Sequence, residues 1–273
     1  MPEVSLIISV FNKFKELELL LDALTVQSFD NFEVIIADDG SGEFMRKFCT
    51  NAGRTFNLDV KFVTQEKNGF RKNRILNKAI SVATTDYLIF TDGDCIPHPD
   101  FIYAHYSYKR PNTVLSGRRV FLSSIMSEKI SRNRILYDRY SKIGFGHLRD
   151  YLRRGEDTTK FLEEGIIIRN GLIRSILRKK NVSLIGCNFS LDKKLMEKIN
   201  GFDENYEGPG IGEDTDIEYR LRLAGAEFFS VRNLAVQYHI YHKKTAENSA
   251  NLEYFEKIKK EGKYFCKNGL IKN

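Results

Sequence analysis

DYLIFTDGD, residues 86–94, decides how this chain is read: an apolar run at 87–90 leads into two carboxylates, Asp92 and Asp94, with one glycine between them. So short an apolar run reads as a buried strand, and the acid-Gly-acid end reads as the turn that stops it. Just upstream, RKNRILNKAISVA (71–83) has helical spacing, and VKFVTQ (60–65) before it reads as another strand. The alternation continues toward the amino terminus. FEVIIADDGS (32–41) is apolar until Asp38, Asp39 and a Gly-Ser turn, and a helical stretch follows it. VSLIISVF (4–11) precedes Phe14, Leu17, Leu20, Leu21 and Leu24 at helical spacing. Strands alternating with helices predict an α/β fold with a mostly parallel central sheet and helices on both faces.

In open sheets of this kind, ligands bind beyond the carboxyl ends of the strands. Asp38-Asp39 and Asp92-Gly93-Asp94 both lie at such ends, so they are expected to converge. Two carboxylates about 4 Å apart repel by about 4 kcal/mol at an effective dielectric of about 20, and a bound cation relieves that repulsion. Oxygen ligands suit Mg2+ or Mn2+, either of which bridges the phosphates of a nucleoside diphosphate. Taken alone, an Asp-x-Asp triplet is equally a solvated turn.

Three further stretches carry chemistry. In GEDTDIEYRLRLAG (212–225), Ile217, Leu221 and Ala224 form an apolar stripe, Glu218 and Arg222 pair across one turn, and Gly225 is a helix stop. Asp214 shares the inward side of that helix at its amino end, where the dipole favours an ionised carboxylate suited to take a proton from a hydroxyl. The competing reading is that these acids cap the helix. In QYHIYH (237–242), two of the five histidines stand three residues apart, and either His239 or His242 can complete a metal site begun by Asp94. Phe70-Arg71-Lys72-Asn73-Arg74 places cations and free helix amides near the same sheet edge, a phosphate or base contact. For Lys72 a plain surface-helix reading is equally good.

With 273 residues, 42% hydrophobic and 29% charged, the chain suits a folded unit with a sizeable core and excludes global disorder. Four scattered cysteines without a CxxC pair suggest neither a disulfide framework nor a zinc knuckle, and fit a reducing cytoplasm. The first residues read as a strand rather than a signal peptide, and no apolar run approaches the ~18 residues of a spanning helix. Net charge is +7, but residues 118–180 hold 16 Lys or Arg against 7 Asp or Glu, so the excess is regional. Such a segment attracts anionic lipid, a pyrophosphate-bearing acceptor or nucleic acid, and is equally a solvated helical surface. No nucleic-acid module accompanies it. FNKFKE, after the first strand, lacks the glycines of a dinucleotide-binding turn. Residues 123–180 read as a helical insertion beside the sheet, SLIGCNFSL (183–191) as a returning strand, 201–212 as a Gly-rich turn, and the tail as a helix with Leu252, Phe255 and Ile258 in register.

Taken in order, SLIISVFNKFKELELLLDAL, EVIIADDGS, GFRKNRILNKAI with DYLIFTDGDCIPHPDFI, and then GCNFSL, INGFDENYEG, GEDTDIEYRLRLAG and HIYH resemble a family 2 glycosyltransferase of the GT-A fold. The second half resembles the galactosyltransferase-like carboxyl region of bacterial chondroitin-type polymerases. The resemblance implies one GT-A domain over 1–245, with a nucleotide-sugar-binding half (1–95) and an acceptor-binding half (96–245) that carries an insertion at about 123–180. A helical tail, 246–273, follows. It implies a UDP-sugar donor, with Phe11 and Asp39 at the base or ribose and Arg71 and Arg74 lining the donor site. Asp92 and Asp94 become the DxD motif, Asp94 ligating Mn2+ or Mg2+ and Asp92 contacting ribose or metal. Asp214 maps to the catalytic base, Glu213 to an acceptor contact, and His239 or His242 to a metal ligand. It further implies inversion at the anomeric carbon, a glycan or lipid-linked acceptor in bacterial surface polysaccharide synthesis, and work at the inner face of the membrane by peripheral contact with anionic lipid. Nucleic acid is not an expected partner. A non-catalytic nucleotide-sugar-binding subunit or sensor is the alternative. Asn77-Lys78-Ala79 and Pro209-Gly210-Ile211 depart from the family pattern.

Overall fold

The computed structural model describes residues 1–129, 150–152, 157–177, 182–243 and 249–272. Strands β1 (Val4–Val10), β2 (Phe32–Asp38), β3 (Val60–Thr64) and β4 (Tyr87–Asp92) alternate with helices α1 (Phe14–Leu24), α2 (Glu43–Phe56) and α3 (Lys72–Val82). They pair in parallel in the order β3-β2-β1-β4. The predicted strand-helix alternation is therefore present. On β1, Leu6 and Ile8 join the core beneath α1 and α2, while Ile7 joins the core beneath α3. A strand's period of two sends alternate side chains to opposite faces, so β1, buried on both, carries aliphatic residues toward each core while its buried serines, Ser5 and Ser9, hydrogen-bond to acids on neighbouring strands. Each such aliphatic residue contributes about 1.5–3 kcal/mol when fully buried.

β5 (Cys95–Pro97), β6 (Thr113–Ser116), β7 (Arg118–Phe121), β8 (Phe189–Asp192), β9 (Glu227–Ser230) and β10 (Val236–His239) complete the strands. β8 lies antiparallel between β4 and β6, and β6 pairs in parallel with β9, giving a mostly parallel seven-stranded sheet. A second sheet has the order β5-β10-β7. β8 is shorter than SLIGCNFSL predicts because 182–188 bonds through side chains rather than a ladder. Fully buried Asn188 donates from Nδ2 to the carbonyls of Arg118 (2.8 Å) and Ala235 (2.9 Å), and the backbone turns there, with Asn188 N–H on the carbonyl of Ile185 (2.9 Å).

Of the predicted insertion, residues 130–149, 153–156 and 178–180 lie outside the described residues. The rest includes helix Ser124–Lys129, a 3-10 turn Leu162–Gly165 and helix Gly171–Leu177. The tail forms helix Ser249–Glu261, but Leu252 is 48% exposed, and Asn251 and Phe255 are the buried residues. The helix is seated by polar groups that apolar spacing does not report. Asn251 Oδ1 accepts from Glu207 N–H (3.2 Å), and Tyr254 O–H donates to Asp203 (3.0 Å).

Candidate active site

The acids that end β2 divide their work. Asp38 is fully buried and accepts from Ser41 N–H (3.0 Å), Ser41 O–H (2.5 Å) and Thr64 O–H (2.9 Å), so it fastens the turn after β2 to β3. Asp39 accepts from Gln65 Nε2 (2.6 Å), the Arg71 N–H (3.1 Å) and Lys67 Nζ (3.3 Å). The same Lys67 ammonium lies 3.5 Å from the centroid of the Phe11 ring, which is 39% exposed. Phe11 and Asp39 are thus brought together by a lysine that sequence reasoning missed, because nothing local distinguishes Lys67 from a solvated one. Arg71 Nη1 pairs with Glu207 (2.6 Å), and Arg74 is exposed with no ion pair among the described residues.

Asp92 ends β4 opposite Ser9 of β1, and Ser9 O–H donates to it at 2.7 Å. Gly93 then passes close to β1: its N–H bonds the Ser9 carbonyl at 2.8 Å, and a Cβ there would stand 2.9 Å from Val10 Cγ2. Lys72, at the start of α3, reaches Asp92 Oδ1 at 2.8 Å and Glu213 Oε2 at 2.5 Å. Burial alone would raise the Asp92 carboxyl, but Lys72, Ser9 and then Arg119 outweigh it and hold Asp92 at about 2. For Glu213 burial prevails and its carboxyl is raised, Asp92 and Asp214 adding to the rise against the relief from Lys72. Burial would lower the Lys72 ammonium, and the two carboxylates reverse that, so it stays charged.

Asp94 meets different partners. Its Oδ1 is 3.7 Å from His239 Nε2 and its Oδ2 is 3.4 Å from His242 Nε2, and ligand atoms of all three residues lie within 4.8 Å of one another. Two atoms each about 2.1 Å from one ion stand at most about 4.2 Å apart, and the two Asp94–imidazole distances fall within that span. The second sheet builds this group. β10 pairs antiparallel with β5, setting His239 opposite Cys95, and Ile240 N–H bonds the Asp94 carbonyl at 2.9 Å. Burial pushes the His239 imidazole down to about 4, which keeps it neutral, as a ligand must be. His242 Nδ1 lies 2.9 Å from the Lys243 carbonyl. A carbonyl only accepts, so Nδ1 carries a proton, and the Nε2 edge is the one turned toward Asp94. Both histidines face Asp94, whereas Asp92 turns to Lys72 and Ser9. Lys13 Nζ stands 3.9 Å from Asp94.

Asp214 opens helix Asp214–Leu223, and the Gly186 N–H donates to its Oδ2 at 3.3 Å. Ile217 and Leu221 are buried as predicted, and Glu218 pairs with Arg222 at 2.8 Å. The preceding loop is carried by α3. Asn73 Nδ2 donates to the carbonyls of Asp203 (2.7 Å) and Gly212 (2.9 Å), and Asn77 Nδ2 to that of Phe202 (2.8 Å). Beneath the helix, Arg220 and Asp216 form an ion pair at 2.6 Å with both side chains 1% exposed, and Tyr206 O–H donates to Asp216 (3.1 Å). Asp216 therefore serves the scaffold. Arg119 on β7 was missed from sequence; its Nη1 is 2.7 Å from Cys187 Sγ and its guanidinium 4.6 Å from the Phe121 centroid.

The family model described as Glycosyl transferase family 2 matches residues 5–199, and one described as the N-terminal domain of galactosyltransferase matches 175–243. A chondroitin synthase of Pasteurella multocida (strain Pm70) is 25% identical over 247 residues, covering 86% of this chain and 24% of its own length. The chain thus spans about a quarter of that relative. Among solved structures, GalNAc-T7 with UDP, GalNAc and Mn2+ superposes with a TM-score of 0.64 at 13% identity, over 95% of this chain and 48% of that one. The mannosyltransferase PcManGT from Pyrobaculum calidifontis, in complex with GDP-Man and Mn2+, gives 0.57 at 17% identity, over 89% and 58%. At such identities the likeness is one of fold.

Proposed function

The chain belongs to glycosyl transferase family 2 and is a GT-A glycosyltransferase related to bacterial polysaccharide synthases, and from this premise we propose a metal-dependent, inverting enzyme that moves a hexose or N-acetylhexosamine from a UDP-sugar to a hydroxyl of a glycan or lipid-linked acceptor. The observation that carries the reading is the meeting of Asp94 with His239 and His242, beside the acidic pair joined by Lys72. Two imidazoles in the donor set favour Mn2+ over Mg2+. A divalent cation held by Asp94, His239 and His242 supplies positive charge to the diphosphate leaving group.

The chain's own residues do the remaining work. Phe11 offers a ring face to the base, and Asp39, already oriented by Gln65 and the Arg71 N–H, accepts from the base or ribose. Arg71 and Arg74 add positive charge on the donor side, and Asp92 contacts ribose. Asp214 takes the proton from the acceptor hydroxyl as it attacks, with Glu213 holding the acceptor. Attack opposite the leaving group inverts the anomeric centre without a covalent sugar on the protein. Residues 1–245 serve as one catalytic unit with a donor half and an acceptor half. No helix among the described residues is long and apolar enough to cross a membrane. The basic stretch 118–180 supports peripheral contact with anionic lipid at the cytoplasmic face, where the products serve surface polysaccharide synthesis.

The test is transfer from UDP-, GDP- and dTDP-sugars with and without Mn2+. Asp214→Asn should lower kcat by at least about a hundredfold while UDP binds as in wild type. Equal loss of UDP binding removes the base role, and full activity in excess chelator removes the metal.

A further inference from the structure

Asp92 and Glu213 come from the end of β4 and the residue before helix Asp214–Leu223, yet one ammonium serves both. Lys72 Nζ lies 2.8 Å from Asp92 Oδ1 and 2.5 Å from Glu213 Oε2, and the Lys72, Asp92 and Glu213 side chains are only 16%, 24% and 19% exposed. Ser9 O–H takes a further position on Asp92. Two converging carboxylates around one compact positive charge form part of the donor set of a hard divalent ion, with the charge supplied by a tethered ammonium instead. Among the described residues Asp94 has no comparable ammonium: Lys13 stands at 3.9 Å, and its other side-chain neighbours are the two imidazoles and the Cys95 thiol. The two acids of the Asp-Gly-Asp triplet thus face different partners.

We propose that Lys72 is a built-in counter-cation that fills, between Asp92 and Glu213, the place a second divalent ion would otherwise take, and so fixes Glu213 against the end of β4 while leaving Asp94 to the exchangeable metal. Lys72 is a positioning residue in this scheme, acting through Glu213 and Asp92. The proposal rests on the metal role given to Asp94, and its test separates the two.

The test is titration of the full chain with Mn2+ alone, followed by calorimetry and by melting temperature. Lys72→Met should bind one Mn2+ more than wild type, Lys72→Arg should keep the wild-type stoichiometry, and Lys72→Met/Glu213→Gln should lose the added site. Should Lys72→Met be poorly folded without metal, saturating Mn2+ should raise its melting temperature by more than it raises that of wild type. In steady state, Lys72→Met should lower kcat by about tenfold or more while donor KM changes by less than about threefold, with partial rescue in Lys72→Arg. The same Mn2+ stoichiometry and the same thermal gain in Lys72→Met as in wild type overturn the proposal, leaving a structural ion pair. A wild-type chain that binds no Mn2+, or an Asp94→Asn chain that keeps its site, overturns the metal reading of Asp94 instead, whatever Lys72→Met gains.

Discussion

Among the described residues histidine does more than one kind of work, and its neighbours decide which. His239 and His242 turn a nitrogen toward Asp94, whereas His105 is fully buried with Nε2 2.9 Å from Asn188 Oδ1 and Nδ1 2.8 Å from Ser190 Oγ. Asn188 spends its Nδ2 protons on two carbonyls, so its Oδ1 accepts from Nε2–H and the ring is neutral. Burial pushes His105 down to about 4 from 6.5, a displacement worth as much as ~3 kcal/mol. A lowered folded pKa makes the neutral form part of the fold. Stability is therefore fully present above about 6.5 and is lost as the pH falls from there toward about 4. Urea midpoints should drop across that window and the drop should be shallower in His105→Gln; matching slopes would remove the claim. Buried Asp203 and Glu213, whose carboxyls are raised, act in the opposite sense, which is why the variant comparison is needed. From sequence, Asp94, His239 and His242 were legible because acids and imidazoles stand out by type. Lys72 was not: a lysine at a helix start has the same local pattern whether it meets water or two carboxylates.

The Gly-rich loop before helix Asp214–Leu223 shows how an element is placed by what lies outside it. Gly212 has φ +129°, and a Cβ there would run into the Tyr206 ring, so only glycine brings the chain into the helix while Tyr206 reaches Asp216. Gly212→Ala should cost about 1–3 kcal/mol and lower turnover more than UDP affinity, because it displaces Glu213 and Asp214 and leaves Phe11 and Asp39 alone. Equal losses of turnover and affinity would refute this, as would an unchanged melting temperature. Apolar spacing placed the helix and Gly225 its end, at φ +81°. On the tail helix it placed Phe255 on the buried side and Leu252 wrongly, and it passed over Asn251 and Tyr254, which bond to the loop in positions that a hydrophobic stripe ignores.

In the molecule as a whole, a polar seam ties helix Asp214–Leu223, the turn at 199–201 and the tail together. Arg220 donates to Asp216 and to the carbonyls of Ile199 (2.8 Å) and Gly201 (2.9 Å), while Asn200 Nδ2 donates to those of Cys266 (2.8 Å) and Ile271 (2.9 Å). Arg220→Met should destabilise the chain by about 3–5 kcal/mol, since it strands a buried Asp216 carboxylate, and a denaturant midpoint unchanged from wild type would contradict that. Read alone, the amino-acid order determined the four parallel strands, the helices between them and the acids at the strand ends, because periodicity and turn chemistry act over neighbours in the chain. Only the tertiary structure decided which partner each acid meets: the Lys72 ammonium for Asp92 and Glu213, two imidazoles for Asp94. Those meetings depend on β10 pairing with β5 and on α3 carrying the distant loop, and the energy of a contact between remote segments leaves no local pattern to read.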